Sequence, residues 1–182
     1  MRPRILTTAL ITTLLSAGLT TPAARAAAQD AGVSIASFEG GYIDLRDGWG
    51  EATACTTDNV TTECFRTEAE LDKFVIDTAS LTNLTIDDLI ILSTCSTSLK
   101  LYANTSYGGA TLALSTRGTF LNLSSWGFDN ITSSYKIGAC SATFYDGANG
   151  GAPTYPGNTS AGASATSMLS GWDNRVGSVY IS

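Results

Sequence analysis

Phe128-Asp129-Asn130-Ile131-Thr132-Ser133-Ser134 is answered 44 residues later by Trp172-Asp173-Asn174-Arg175-Val176-Gly177-Ser178. Each heptad runs into a strand-like trio, Tyr135-Lys136-Ile137 in the first case and Val179-Tyr180-Ile181 in the second. Upstream the register repeats again: Leu101-Tyr102 returns as Phe144-Tyr145, 43 residues later. Two markers displaced by nearly the same amount make this an internal repeat of a whole four-strand unit rather than a chance recurrence of a few letters.

The stretch that carries the repeat, residues 96–182, is rich in Gly, Ser, Thr, Tyr and Asn. Short alternating runs such as Leu99-Lys100-Leu101-Tyr102 and Leu112-Ala113-Leu114 are separated by turn residues. That pattern predicts an antiparallel sandwich, not a helical or parallel fold. A lone Asp-Asn pair is ordinarily a turn former whose side chains bond their own backbone. Here Asp129-Asn130 and Asp173-Asn174 hold one place in two repeats, each with Ser at the same trailing position, and the third acid of this half, Asp146, directly follows the repeated Tyr145. Carboxylate, amide and hydroxyl in one tight loop are hard oxygen donors, the set that suits Ca²⁺ and offers nothing to softer metals.

These residues resemble the βγ-crystallin family. The family's Greek-key hallmark is an aromatic, four residues, an aromatic, any residue and Gly, which Tyr102-Ala103-Asn104-Thr105-Ser106-Tyr107-Gly108-Gly109 fits in full. Its calcium signature is Asn/Asp, Asn/Asp, two free residues, Ser/Thr and Ser, matched at every position by Asp129 to Ser134. The resemblance spans residues 96–182 and implies a mainly β fold, a double Greek-key sandwich that clamps two calcium ions reciprocally. Carried over, one site would use Asp129, Asn130 and the Ile131 carbonyl. The other would use Asp173, Asn174 and the Arg175 carbonyl, completed by the Ser133 hydroxyl. Ala103 and Asp146, each following its motif tyrosine, are the implied hairpin contributors, and Ser134 and Ser178 are implied to tie each hairpin to the following strand. The second repeat departs twice. Gly177 stands where a Ser/Thr ligand belongs, so the Asp129 site is expected to be the weaker one; Gly150-Gly151-Ala152 replaces the aromatic, residue, Gly triplet, and Gly147 to Ser167 is expected to be an irregular loop.

Outward from the repeat the chain changes character. Residues 29–95 hold 13 of the 16 acids against Arg46, Arg66 and Lys73, a balance of −10, whereas residues 96–182 balance at +1. Such a break predicts two structural units. The first is expected to be a small mixed α/β extension, with strands near Val33–Phe38 and Gly41–Leu45 and a short apolar strand at Leu89–Leu92. Thr67-Glu68-Ala69-Glu70 is a capping-box sequence, and Leu71, Phe74 and Val75 follow at helical spacing, predicting a helix from about Glu68 to Thr78.

Before that lies a leader. Arg2 and Arg4 precede an apolar run from Ile5 to Leu19, and Ala24-Arg25-Ala26 offers a small-x-small cleavage site, so residues 1–28 read as a secretory signal peptide. Its removal leaves 7 bases against 16 acids, a net charge of −9. An acidic chain is a poor partner for nucleic acid or an anionic membrane. Export favours disulfides for Cys55, Cys64, Cys95 and Cys140, and of the three possible connectivities Cys55–Cys64 with Cys95–Cys140 keeps each bridge within or bordering one segment. A cysteine zinc site is the competing reading, but the spacings match no common pattern.

The sequence contains no histidine. That excludes a Ser-His-Asp triad, a Cys-His dyad and an imidazole zinc site, and no spacing singles out a carboxylate pair. The expectation is a secreted, non-enzymatic, calcium-binding protein of structural or stress-related value. Fold-level analogy admits one alternative, a secreted protease inhibitor or killer-toxin-like protein whose 147–167 or Cys55–Cys64 loop enters an enzyme cleft, with a secreted protease as partner. The aromatics Trp126, Trp172, Tyr102, Tyr107, Phe120 and Phe128 are expected in the core and at hairpin corners, not on a carbohydrate platform.

Overall fold

The computed structural model describes residues 34–81 and 94–182. The leader at 1–28 and the Leu89–Leu92 run lie outside the described residues, and among those residues no helix is long and apolar enough to cross a membrane.

The repeat folds as two Greek keys. The first comprises β5 (Thr94–Asn104), β6 (Gly108–Thr116), β7 (Phe120–Asn122) and β8 (Ser134–Lys136). The second comprises β9 (Ala142–Gly147), β10 (Gly151–Thr154), β11 (Ser164–Ala165) and β12 (Ser178–Ile181). Neither keeps its own third strand. β7 leaves the first key to pair antiparallel with β12, Val179 opposite Leu121, while β11 leaves the second to pair with β8, Ala165 opposite Tyr135. One sheet therefore reads β11-β8-β5-β6 and the other β10-β9-β12-β7. Period-2 alternation turns Leu99, Leu101, Leu112, Leu114 and Tyr135 inward against Leu121, Phe144, Val179 and Ile181, all buried in a single cluster.

The stretch from Gly147 to Ser167 is more ordered than the sequence suggests. Its first part is a regular hairpin arm, β10, with a cis Ala152–Pro153 bond. Further on, Tyr155 is buried and meets Tyr135, Phe144 and Trp172 at ring-centroid distances of 5.9, 5.8 and 5.2 Å. An aromatic set in an apparent loop thus anchors that loop to the core.

The acidic segment extends the first sheet. β1 (Ile35–Phe38) and β2 (Gly41–Asp44) form a hairpin around Glu39 and Gly40, both at positive φ. The strands fall where the sequence places them, and the chain turns again directly after β2, where Asp47 N–H donates to the Asp44 carbonyl and Gly48 N–H to the Leu45 carbonyl. A second hairpin, β3 (Ala54–Thr57) with β4 (Thr62–Phe65), pairs Cys55 directly opposite Cys64, and β3 then runs parallel to β6 with Cys55 opposite Leu112. The whole sheet reads β11-β8-β5-β6-β3-β4-β1-β2. Both expected disulfides are present, Cys55–Cys64 and Cys95–Cys140.

The helix α1 spans Glu68–Leu81 and begins with the reciprocal capping box, Glu70 N–H donating to Thr67 Oγ1 (3.2 Å) and Thr67 N–H to Glu70 Oε2 (3.0 Å). Leu71 is buried against Ala54 and Ala113, with Phe65 and Val75 beside them, so the helix seats where β3 joins β6. Its first turn also grips β5: Lys100 Nζ donates to Glu68 Oε1 (2.7 Å) and to Asp72, and the Tyr102 hydroxyl donates to the same Glu68 oxygen (2.8 Å). Burial opposes ionisation of Glu68, but the hydrogen bonds from Lys100 and Tyr102 prevail and hold its carboxyl below its ordinary value. A depressed carboxylate contributes stability above its unfolded pKa and loses it as pH falls through the folded value. Glu68→Gln is accordingly expected to lower stability by about 1–2 kcal/mol at neutral pH and to make little difference near about pH 2. Urea unfolding of both proteins at the two pH values checks this, and a deficit that persists undiminished in acid would contradict it.

Candidate functional site

The repeated heptads are the segments that enter β8 and β12, and they lie side by side. Asn130 N–H donates to the Val176 carbonyl, and Asn174 N–H donates to the Thr132 carbonyl, both at 3.0 Å. Asn130 and Asn174 share positive φ values of 56° and 54°, a left-handed turn that asparagine tolerates. Each loop is also bonded to a first-strand corner: Ser133 N–H to the Tyr102 carbonyl and Gly177 N–H to the Tyr145 carbonyl, both 2.8 Å.

One residue further along, the serines act alike. Ser134 Oγ donates to the Asn104 carbonyl (2.6 Å) and accepts from Tyr107 N–H (3.1 Å). Ser178 Oγ donates to the Gly147 carbonyl (2.6 Å) and accepts from Gly150 N–H (3.0 Å). Each hydroxyl thereby closes the tight corner between the first two strands of its own key. Two keys with exchanged third strands and this hydroxyl tie in both decide the architecture. Residues 94–182 form the double Greek-key sandwich that the resemblance to the βγ-crystallins implies.

No protein-family model matches the chain, and no curated protein sequence matches it either. Solved structures similar to it include a βγ-crystallin from Ciona intestinalis, at 22% identity and a TM-score of 0.40, covering 47% of this chain and 99% of that one. A variant of a βγ-crystallin domain from Clostridium beijerinckii is similar at 20% identity and a TM-score of 0.39, covering 46% of this chain and 95% of its own. A clostrillin double mutant, solved in complex with nickel, is similar at 20% identity and a TM-score of 0.39, covering 46% and 95%.

Within this double Greek-key half the candidate calcium residues fall into two groups. Around the first loop, Asp129 Oδ1 and the main-chain oxygen of Asp146 both face Gly177: a Cβ built on that glycine would overlap the Asp146 oxygen and come within 3.2 Å of Asp129 Oδ1. Partial burial, and after it the Asp146 charge, push the Asp129 carboxyl above its ordinary value. Asn130 turns its amide nitrogen to Asp129 Oδ2 (3.0 Å). Around the second loop, the Ser133 hydroxyl reaches across from the first loop to Asn174 Oδ1 (3.3 Å), while Asp173 and Asn174 are exposed beside it. Ala103 follows Tyr102, whose carbonyl holds Ser133, as Asp146 follows Tyr145, whose carbonyl holds Gly177. Ile131 and Arg175 are half-buried at the third place of each loop.

The donors are oxygen throughout, and among the described residues no three His, Cys, Asp or Glu side chains gather into a metal cluster. One carboxylate with amide and carbonyl oxygens is a set that a hard, flexible cation accepts. Asp129 Oδ1 and the Asp146 carbonyl, both facing Gly177 where no side chain intervenes, are donors of the kind such an ion accepts.

The missing aromatic of the second hairpin is supplied from elsewhere. A Cβ on Gly150 would overlap the Phe120 ring, which lies 5.7 Å from Tyr145 and 5.2 Å from Tyr180. In the first hairpin Tyr107 lies 5.5 Å from Tyr102, with Lys136 Nζ over both rings. Phe120 of β7 thus takes the corner that the absent aromatic leaves, at the cost of being partly exposed, whereas Trp126, Trp172, Tyr102 and Phe128 are buried as expected.

Gly177 is more than a missing hydroxyl. Its lack of a Cβ lets the Asp146 carbonyl approach, so restoring the consensus by Gly177→Ser is expected to overpack this contact and cost about 1–3 kcal/mol. Thermal unfolding in chelator measures it; a serine variant as stable as the parent would show that the hairpin has room to move.

Proposed function

We propose that this is a secreted, non-enzymatic structural protein of the βγ-crystallin type that binds calcium at its two crossed loops. The observation that carries the reading is the approach of oxygen donors from both loops and from the second hairpin. Asp129 Oδ1 and the Asp146 carbonyl meet beside Gly177, and Ser133 Oγ meets Asn174 Oδ1 from the opposite loop. Asp129, Asn130, the Ile131 carbonyl and the Asp146 carbonyl would hold one ion. Asp173, Asn174, the Arg175 and Ala103 carbonyls and Ser133 would hold the other. Calcium would add a cross-link between loops joined by two backbone hydrogen bonds and by the Ser133–Asn174 side-chain contact.

Export is supported by the Arg2-to-Ala28 leader and by two disulfides, which persist in oxidising compartments. The absence of histidine from the sequence removes the commonest general base and nucleophile partner. Ligand binding to the folded state stabilises it by mass action, which would suit a structural or stress-related role.

Extracellular calcium modules bind at roughly 10⁻⁴–10⁻³ M. With free ion about tenfold above Kd, linkage contributes about 1.4 kcal/mol. Scanning calorimetry is expected to show melting about 3–6 °C higher in calcium than in chelator, with a smaller gain after Asp173→Ala. Identical melting in the two buffers would overturn the calcium reading.

A further inference from the structure

Arg175 occupies the third place of the second loop, where the calcium reading asks only for its carbonyl. Its side chain turns back to the other site. Nε and Nη2 both donate to Asp146 Oδ2, at 3.0 and 2.9 Å, Nη1 donates to the Gly171 carbonyl at 3.2 Å, and the guanidinium lies 5.2 Å over the Trp172 ring. Three donors and an aromatic face fix this cation in one pose, half-buried like its partner. The Asp146 main-chain oxygen meanwhile faces Gly177 and Asp129. One residue therefore presents a carbonyl to the candidate ion position and yields its carboxylate to an arginine.

We infer that Arg175 is an affinity-setting residue for the Asp129 site: it holds the Asp146 carboxylate away from the ion and places a fixed positive charge beside it. The inference rests on the calcium reading. Without the arginine the site would have two carboxylates, Asp129 and Asp146, in place of one. With it, the site keeps one uncompensated negative charge, and the incoming divalent ion meets a cation already in residence. The guanidinium, always charged and planar, is suited to that role in a way that a neutral side chain is not. The same contact narrows the site's preference for divalent over monovalent cations, because repulsion from a fixed unit charge penalises a divalent ion about twice as much as a monovalent one.

The direction of the effect separates this role from a merely structural one. A structural ion pair, once removed, loosens the hairpin and weakens binding. Here Arg175→Gln is expected to tighten calcium binding at the Asp129 site by roughly tenfold. Arg175→Lys, which keeps the charge, is expected to stay near the parent. Isothermal titration of the full mature chain with calcium chloride reads the affinities, and circular dichroism in chelator confirms folding. The gain from Arg175→Gln should persist in an Asp173→Asn background and vanish in an Asp129→Asn background. Unchanged or weaker binding by Arg175→Gln, or a gain that survives Asp129→Asn, overturns the inference while a binding parent leaves the calcium reading standing. Absence of calcium heat from every variant overturns both.

Discussion

Neither Greek key can complete its sheet from its own strands. Because β7 pairs with β12 and β11 with β8, the segment between the third and fourth strand of each key must travel from one sheet to the other. Two such crossings, related by the repeat, meet in the middle. Their backbones have unspent donors and acceptors there, and burial without partners would be costly. The two bonds from Asn130 and Asn174 to the opposite loop satisfy part of that need. The crossing also explains why polar residues gather at an otherwise apolar sandwich: loops that change sheets carry turn chemistry, and here the turn residues are oxygen donors. The serine that follows each crossing closes a hairpin corner, so strand exchange, corner and loop are one connected constraint.

What could be read in the sequence was whatever local chemistry repeats. The heptads, the Tyr102-to-Gly109 corner, the capping box at Thr67 and the cysteine pairing each rest on a few neighbouring residues with defined geometry, and each is found where expected. The grouping of Asp129, Asn130, Ser133, Asp173 and Asn174 at two crossed loops was legible for the same reason. Long-range partnerships were not. The β3–β4 hairpin is four residues a side and largely polar apart from its cysteines, so it carries no hydrophobic alternation, and its parallel pairing with β6 leaves no mark in either strand. Tyr155 lies in a stretch of Gly, Pro, Ser and Asn whose composition denotes a loop, yet three aromatic neighbours from distant strands bury it. Phe120 substitutes for a missing corner aromatic from 30 residues upstream of Gly150, a compensation that only the fold brings together.

The acidic extension is best understood through the edge it covers. A free β6 would present a row of unpaired backbone groups, an invitation to association with other chains. β3 fills that edge, and the extension then holds on at two more places. Trp49 Nε1 donates to the Trp126 carbonyl (2.7 Å) and its ring lies 5.5 Å from Phe128, directly before the first loop. At Gly127 the fit to Leu45 is so close that a Cβ would overlap the Leu45 carbonyl, and the left-handed φ of 61° there suits glycine. Glu68 binds the hydroxyl of Tyr102, whose carbonyl supports Ser133. The extension thus braces the approach to one candidate site and the corner beneath the other, although none of its described residues stands among the candidate ligands.

Reciprocity gives the departures in the second heptad their meaning. Each loop sets its fifth residue against the other, Ser133 Oγ beside Asn174 Oδ1 and Gly177 beside Asp129 Oδ1, and the hairpin that follows Tyr145 faces Gly177. Arg175 and Gly177 lie in the second loop, but both act on the first loop's site: one takes the Asp146 carboxylate, the other removes a hydroxyl and admits the Asp146 carbonyl. The heptad that matches its consensus at every position is therefore the one whose candidate site faces a glycine in the opposite loop. The heptad that looks imperfect keeps its completing residue, because Ser133 arrives from the intact loop. In a fold built by exchange, the consequence of a substitution appears in the partner motif, and a motif's own agreement with consensus says little about the competence of the site that bears its name.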